Sequence, residues 1–260
     1  LFLRVGYFIL CTLPVCLLLG LQTELGAALV FLARFCGMLL MSGVSWKILL
    51  PVIILGIALI AGFLLLFTSP GGTTLLHNLG MDTYQINRLT AWLDPFKSAQ
   101  STTYQQAQSL IAIGSGGLTG LGFNMSNLLI PVRESDMIFT VIGENFGFVG
   151  GLVVIALYFL LIFRMLRATL LSNNRFYTYI ATGYIMMLLF HIFENIGAAT
   201  GILPLTGIPL PFISQGGSSI IANLIGVGLV LSMSYQYYLS EDMRLSKSRV
   251  KKITIKRVER

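Results

Sequence analysis

Apolar residues run for the length of a membrane span six times along the chain, at about 5–20, 25–44, 48–67, 137–163, 177–198 and 214–238. A bilayer core is crossed by roughly 20 apolar residues in helical form, so each run predicts a transmembrane helix. The first is short, and the fourth is long enough to tilt or to project beyond the bilayer. The pattern predicts an all-α polytopic membrane protein, with three transmembrane helices in 1–67, a long connection over 68–135, three more helices in 136–238 and a polar tail, 239–260.

Two connections break the pattern. Residues 68–135 are too long for a structureless loop, and such segments are usually folded and functional. This one opens on the turn-rich "TSPGGTT", continues through "NRLTAWLDPF" and the helix-compatible "SAQSTTYQQAQSLIAIG", and ends in "GSGGLTGLGFN". The second, "GILPLTGIPLPFISQGGSS" at 201–219, carries three prolines and four glycines and cannot be helical throughout. Irregular backbone at membrane depth must be buried in protein or line a wet cavity. It predicts a re-entrant type of loop, spanning 199–213 between the last two helices.

Composition agrees: 55% of residues are hydrophobic and 10% charged, with a mean hydropathy of +0.83. A net charge of +7 would suggest nucleic acid in a soluble chain. Placement argues against that. With the amino end cytoplasmic, 13 of the 17 basic residues fall on the inner side, against Arg88, Lys97 and Arg133 outside and Arg34 within a span. This positive-inside bias orients the long connection outward and the basic tail inward, near anionic lipid. Cys11, Cys16 and Cys36 lie in apolar runs without metal-ligand spacing and are expected to be packing residues. The chain starts "LFLRVGYF" without a signal peptide, and an amino-terminal truncation is expected.

Three acids sit at or near the outer half of the membrane: Glu24, Asp136 and Glu144. An ionised group at bilayer depth costs at least ~2.5 kcal/mol on insertion scales, which makes a functional role the first hypothesis. Eight helical residues would put Glu144 about 12 Å deeper than Asp136 and roughly 80° around the axis, so the two cannot form a dyad on one substrate atom. Asp136 is expected in the first turn of its helix with Ser135 or Glu134 as cap, where the helix dipole favours the carboxylate. Either it only complements the dipole, or it is a boundary carboxylate that accepts a proton or binds a cation. In the second case burial under residues 68–135 has to offset the dipole, which weakens a base.

Glu144 with Thr140, and His191, Glu194 and Asn195 at spacing i, i+3, i+4, predict interhelical polar contacts rather than a reactive site. One His beside one Glu makes no zinc site. No Lys-Ser/Thr follows Gly122, and Thr119 interrupts any dinucleotide fingerprint. No Ser or Cys nucleophile motif is present. These features leave a transporter and an enzyme acting on a lipid-linked substrate both open.

Four motifs then narrow the field: "QTELGAAL" at 22–29, "QSLIAIGSGGLTGLGF" at 108–123, "PVRESDMIFTVIGENFGFVG" at 131–150 and "NIGAATGILPLTGIPLPFISQGGSS" at 195–219. Together they resemble the SEDS family (RodA, FtsW and SpoVE), the RodA branch most, and the resemblance covers the whole chain except the basic tail. Family members have ten spans, so the chain resembles spans five to ten.

The resemblance implies a peptidoglycan glycosyltransferase that polymerises lipid II on the outer face of the bacterial cytoplasmic membrane during elongation and shape maintenance. It implies Asp136 as general base toward the 4-hydroxyl of the acceptor GlcNAc, which attacks the lipid-linked MurNAc anomeric carbon. It further implies a divalent cation, Mg or Mn, and no organic cofactor. The implied partners are lipid II and nascent glycan, a class B penicillin-binding protein and other elongation-complex membrane proteins, with no nucleic acid. By the same match Glu24, Arg88, Gln108, Ser109, Glu144, Thr206, Ser214, Gly216, Gly217 and Ser218 shape or line the cavity. Val132 and Glu134 replace the family's Glu and His before the Asp, so any histidine assistance is absent. Thr23 and Glu24 replace Pro and Asp, and Leu121 stands where many members have Lys. A lipid II flippase and a non-catalytic scaffold for a penicillin-binding protein are the alternative functions.

Overall fold

The structure, a computed structural model, describes residues 10, 12–15, 17–18, 25–97, 104–123, 133–171, 174–233 and 235. All regular structure among them is helical. The helices are α1 (Leu25–Met41), α2 (Trp46–Thr68), α3 (Gly72–Asn78), α4 (Thr83–Leu93), α5 (Tyr104–Gly116), α6 (Ile138–Leu171), α7 (Arg175–Ala199) and α8 (Gly217–Met233). Within α2, α6 and α7, the stretches Leu49–Thr68, Ile138–Leu170 and Arg175–Ala199 are long and apolar enough to cross a membrane; α1 and α8 are shorter apolar helices. The all-α membrane architecture expected of the sequence is the one observed. Of the first apolar run only scattered residues are described, with 12–15 and 17–18 helical, and Glu24, Cys11, Cys16 and the basic tail lie outside the described residues.

Helix α2 presents apolar side chains all round, among them Val52, Leu55, Leu59 and Ile60 on its exposed surface. A helix apolar on every face is at home in hydrocarbon. The other long helices share a core: Met165 of α6, Ala181, Ile185 and Leu188 of α7, and Val230 and Met233 of α8 form one buried cluster.

The connection at 68–135 carries α3, α4 and α5 and folds onto the membrane helices. Asp82 accepts a hydrogen bond from the Tyr84 amide at 3.3 Å and so caps the start of α4. Asp94 ends the helix before Pro95, as the residue ahead of a proline is pushed out of helical conformation. Trp92 Nε1 donates to the Gly201 carbonyl at 3.1 Å. Gln106 Nε2 and Ser109 Oγ of α5 donate to the Ala198 and Ala199 carbonyls at 2.7 and 2.8 Å. These belong to the last turn of α7, whose carbonyls have no partner within their own helix.

The fourth apolar run is not one continuous helix, contrary to expectation. Helix α6 breaks at Gly147, whose φ of 64° and ψ of −160° are open to glycine alone. The glycine-rich stretch after α5 fills the break. The Phe148 and Val149 amides donate to the Gly117 and Leu118 carbonyls at 2.9 and 3.1 Å, while the Glu144 and Asn145 carbonyls accept from the Leu121 and Gly122 amides at 2.9 and 3.1 Å. Four backbone groups freed by the break are thus paired again, as burial requires. Backbone meets backbone here: a Cβ at Gly116 would strike the Gly143 carbonyl, and one at Gly120 the Asn145 carbonyl.

Candidate active site

Asp136 stands outside the helix it was expected to begin. Residues 133–137 form turns, α6 starts at Ile138, and no acid lies in its first turn. The reason is visible in the backbone. Three consecutive carbonyls are tied to other segments: that of Glu134 accepts the Gln215 amide at 2.8 Å, that of Ser135 accepts the Ser214 hydroxyl, and that of Asp136 accepts Asn195 Nδ2 at 2.7 Å. Carbonyls engaged in this way cannot enter a helical ladder. Met137 is fully enclosed with Ala198 and Leu205 and anchors the turn from the other side.

The proline- and glycine-rich segment forms the opposite wall. It is irregular over 201–216, in keeping with its composition, and is bound along its length. Asn195 Nδ2 also donates to the Ile208 carbonyl at 2.9 Å, and the Ser214 hydroxyl also accepts the Leu210 amide at 2.7 Å. The Tyr158 hydroxyl donates to the Pro211 carbonyl, and Leu210 packs with Phe139, Tyr158 and Ala199.

Arg88 reaches this wall from α4. Its Nη1 donates to the Leu205 carbonyl at 2.8 Å, its Nη2 to the Tyr84 hydroxyl, and its guanidinium lies 4.4 Å from the centre of the Tyr84 ring. Gly207, with φ of 83°, leaves open the space between cation and acid. A Cβ built on it would sit 3.6 Å from both Arg88 Nη atoms and 3.7 Å from Asp136 Oδ2. Glu194 of α7 closes the cluster from behind. Its Oε1 accepts from the Thr206 amide at 3.1 Å and from the Thr206 hydroxyl, and its side chain feels the charges of both Arg88 and Asp136.

Two buried carboxylate oxygens, Asp136 Oδ1 and Glu194 Oε2, have no hydrogen-bond partner among the described residues. Burial raises the Asp136 pKa above its ordinary value, against smaller lowering effects from its own backbone amide and from Arg88. The sign is opposite to that expected from a helix dipole, because the residue lies before the helix and its burial outweighs the lowering effects. A raised pKa makes the carboxylate a stronger base once ionised.

The family model described as "Cell cycle protein", that of FtsW, RodA and SpoVE, matches residues 3–239. The chain belongs to this family. It is 37% identical over 221 residues to the peptidoglycan glycosyltransferase MrdB of Escherichia coli (strain K12), covering 84% of this chain and 56% of that protein. It is 38% identical over 154 residues to the stage V sporulation protein E of Bacillus subtilis (strain 168), covering 58% of this chain and 42% of that protein. Among solved structures it resembles a chain from a peptidoglycan synthase complex described as coordinating polymerization and crosslinking. There the TM-score is 0.68 and the identity 33%, over 89% of this chain and 61% of that one. The chain therefore spans about half the length of the curated relatives it matches.

Within this SEDS chain the residues singled out by sequence that are described lie in different places. Asp136, Arg88 and Thr206 meet at the site. Ser109, Ser214 and Glu144 are buried in the framework. Ser109 bonds Thr140 Oγ1 at 2.5 Å as well as the end of α7. Glu144 is 1% exposed, with its backbone in the clasp at the α6 break and its Oε2 unpartnered among the described residues. Gln108 is half-buried, with its Oε1 likewise unpartnered. Gly216, Gly217 and Ser218 lie at the start of α8, the last two exposed, and Gly217 faces open space.

Sequence reasoning placed Glu194 and Asn195 among interhelical contacts. Among the described residues neither bonds another helix: Asn195 ties the Asp136 turn to the Ile208 carbonyl, and Glu194 binds Thr206 in the site. Their adjacent positions on one helix gave no signal to tell them apart.

Proposed function

We propose that the full-length protein polymerises lipid II, with Asp136 as the general base. The observation that carries this reading is a carboxylate held on a bound turn, with one oxygen facing the space that Arg88 also lines. The acceptor GlcNAc 4-hydroxyl would sit in that space. Its oxygen forms the bond to the MurNAc anomeric carbon, its proton passes to Asp136, and the bond from that carbon to the pyrophosphate breaks, releasing undecaprenyl pyrophosphate. Arg88 is placed to balance negative charge that builds on the reacting groups.

The donor set also suits a hard divalent cation, Mg or Mn. Asp136 and Glu194 each offer an unpartnered oxygen. No group of three or more His, Cys, Asp or Glu could hold an ion among the described residues. Two carboxylates with substrate phosphate completing the shell is an ordinary arrangement for Mg²⁺. Bound there, the ion would stabilise the departing pyrophosphate.

The same reading puts the site on the outer face of the bacterial cytoplasmic membrane, with 68–135 outside and the basic tail inside, in keeping with the charge bias. A class B penicillin-binding protein is the partner it requires for crosslinking, and the likeness to a chain of a peptidoglycan synthase complex supports this. Asp136→Asn in the full-length protein is expected to abolish glycan formation from labelled lipid II while the protein still inserts in the membrane. Polymerisation at the unaltered rate would refute the role of Asp136.

A further inference from the structure

The Asp136 site lies at the start of α6 and the end of α7. Three exposed arginines stand at the other end of the same two helices. Arg164 and Arg167 lie on the exposed side of α6, whereas Met165 and Thr169 are on its buried side. Arg175 is the first residue of α7, directly after the Asn174 cap. Met165 and Ala181 share one buried cluster. Met165 comes six residues before the end of α6 and Ala181 six residues after the start of α7. Both helix ends therefore reach about 9 Å past that contact and stand level.

Helix energetics do not account for these cations. Three residues apart, Arg164 and Arg167 are neighbours on the helix surface and repel each other. Both precede the last turn of α6, to which the attraction of the helix dipole for a cation is confined. Arg175, at an amino terminus, opposes the dipole outright. No acid balances them either. Among the described residues α1, α2 and α8 carry none, Glu144 of α6 and Glu194 of α7 lie toward the site, and the rest fall within 82–136.

The surroundings are apolar. Phe163, Leu166 and Leu170 are 51%, 45% and 77% exposed on the same side of α6, and Phe176 is 66% exposed beside Arg175. An arginine on such a face lays its stem along hydrocarbon and lifts its charge to the membrane boundary. Its planar fork matches a phosphate there.

We propose that the ends of α6 and α7 away from the site bind anionic phospholipid, with Arg164, Arg167 and Arg175 on headgroup phosphates and Phe163, Leu170 and Phe176 against the acyl chains. The lipid belongs to the inner leaflet if the site faces outward, and only this choice of leaflet rests on the orientation proposed above.

Full-length protein reconstituted in nanodiscs of phosphatidylcholine mixed with phosphatidylglycerol provides the test, because both leaflets then offer the same lipids. The phospholipid that stays bound on release into detergent is counted by native mass spectrometry. Phosphatidylglycerol should be retained in preference, and less so as salt rises. Retention should weaken about fivefold for each arginine removed in Arg164→Gln with Arg167→Gln and in Arg175→Gln. Arg164→Lys with Arg167→Lys should keep most of it, and Lys97→Gln in the connection at 68–135 should change nothing. Phosphatidylglycerol should also raise the melting temperature of the unaltered protein, and this rise, read against each variant's own value in phosphatidylcholine alone, should shrink in the glutamine variants. Binding is counted and not activity, so failure of the polymerase reading leaves the result intact. Equal retention of the two lipids, or glutamine variants that retain phosphatidylglycerol like the unaltered protein, overturns the inference. An equal loss with Lys97→Gln overturns it too, by showing a response to net charge alone. So does selectivity that disappears with residues 239–260 but survives in the glutamine variants, which would place the lipid on the basic tail.

Discussion

Gly147→Ala tests whether the break in α6 is built in or incidental. Alanine at φ 64°, ψ −160° is strained by about 1–3 kcal/mol. Its Cβ would also meet the Leu118 carbonyl and the Gly120 amide. Those are backbone atoms, so no side-chain rotation relieves the contact. The alternative is to straighten α6. The Phe148 and Val149 amides would then regain helical acceptors, but the Leu121 and Gly122 amides would lose the Glu144 and Asn145 carbonyls. Two lost bonds at a net of about 0.5–1.5 kcal/mol each bring a similar penalty. By either route the variant should be destabilised by about 1–3 kcal/mol, with the collision adding to the strain on the first. The assay is thermal unfolding of the full-length protein in detergent, with Gly62→Ala of α2 as control. A Cβ at Gly62 meets nothing within 4 Å, and alanine is the better helix former, so the control should be no less stable than the unaltered protein. Equal stability of Gly147→Ala and the control would refute the clasp.

Two further outcomes follow from the same geometry. Ser109→Ala removes the buried donor to the Ala199 carbonyl and the partner of Thr140. It should lower stability by about 1–3 kcal/mol while leaving kcat per folded molecule unchanged, and a selective loss of kcat would return Ser109 to the reacting groups. Asp136→Asn should also change the pH dependence of unfolding. A buried acid whose pKa is raised on folding contributes stability below its unfolded value of about 3.9 and loses that contribution as pH rises through its folded value. The variant should therefore gain on the unaltered protein toward neutral pH and match it below about pH 4, a trend readable from melting temperatures across the range.

Apolar run length was enough to recover α2, α6 and α7, because lipid as a solvent requires long apolar helices and tolerates little else. Proline and glycine content likewise marked 201–216 as irregular. The break at Gly147 was hidden, since α6 stays apolar on both sides of it and nothing in a single run of residues says where two backbones will touch. Its trace lay elsewhere, in Gly116, Gly120 and Gly122. The stretch fails as a phosphate loop, and the missing side chains of Gly116 and Gly120 admit the α6 backbone instead. Glu194 escaped for another reason. An acid, a histidine and an asparagine on one helix face read alike, and only the segment opposite decides which of them meets Thr206.

The "RES" before Asp136 stands out in sequence as the place where the chain departs from its family, and its side chains invite a search for a substitute for the missing histidine. The fold uses these residues differently. It holds the carbonyls of Glu134, Ser135 and Asp136, which every residue type supplies, through Gln215, Ser214 and Asn195. Side chains at 134 and 135 can then change without moving the turn, provided that the donors on the other segments remain. The Asp136 carboxylate keeps an oxygen without a partner among the described residues. The proposed role as a base is served by a fixed backbone and few hydrogen bonds to the carboxylate, since each one donated stabilises its charged form and weakens it toward a proton. Adjustment of its strength then has to come from its burial and from Arg88 rather than from its neighbours in sequence.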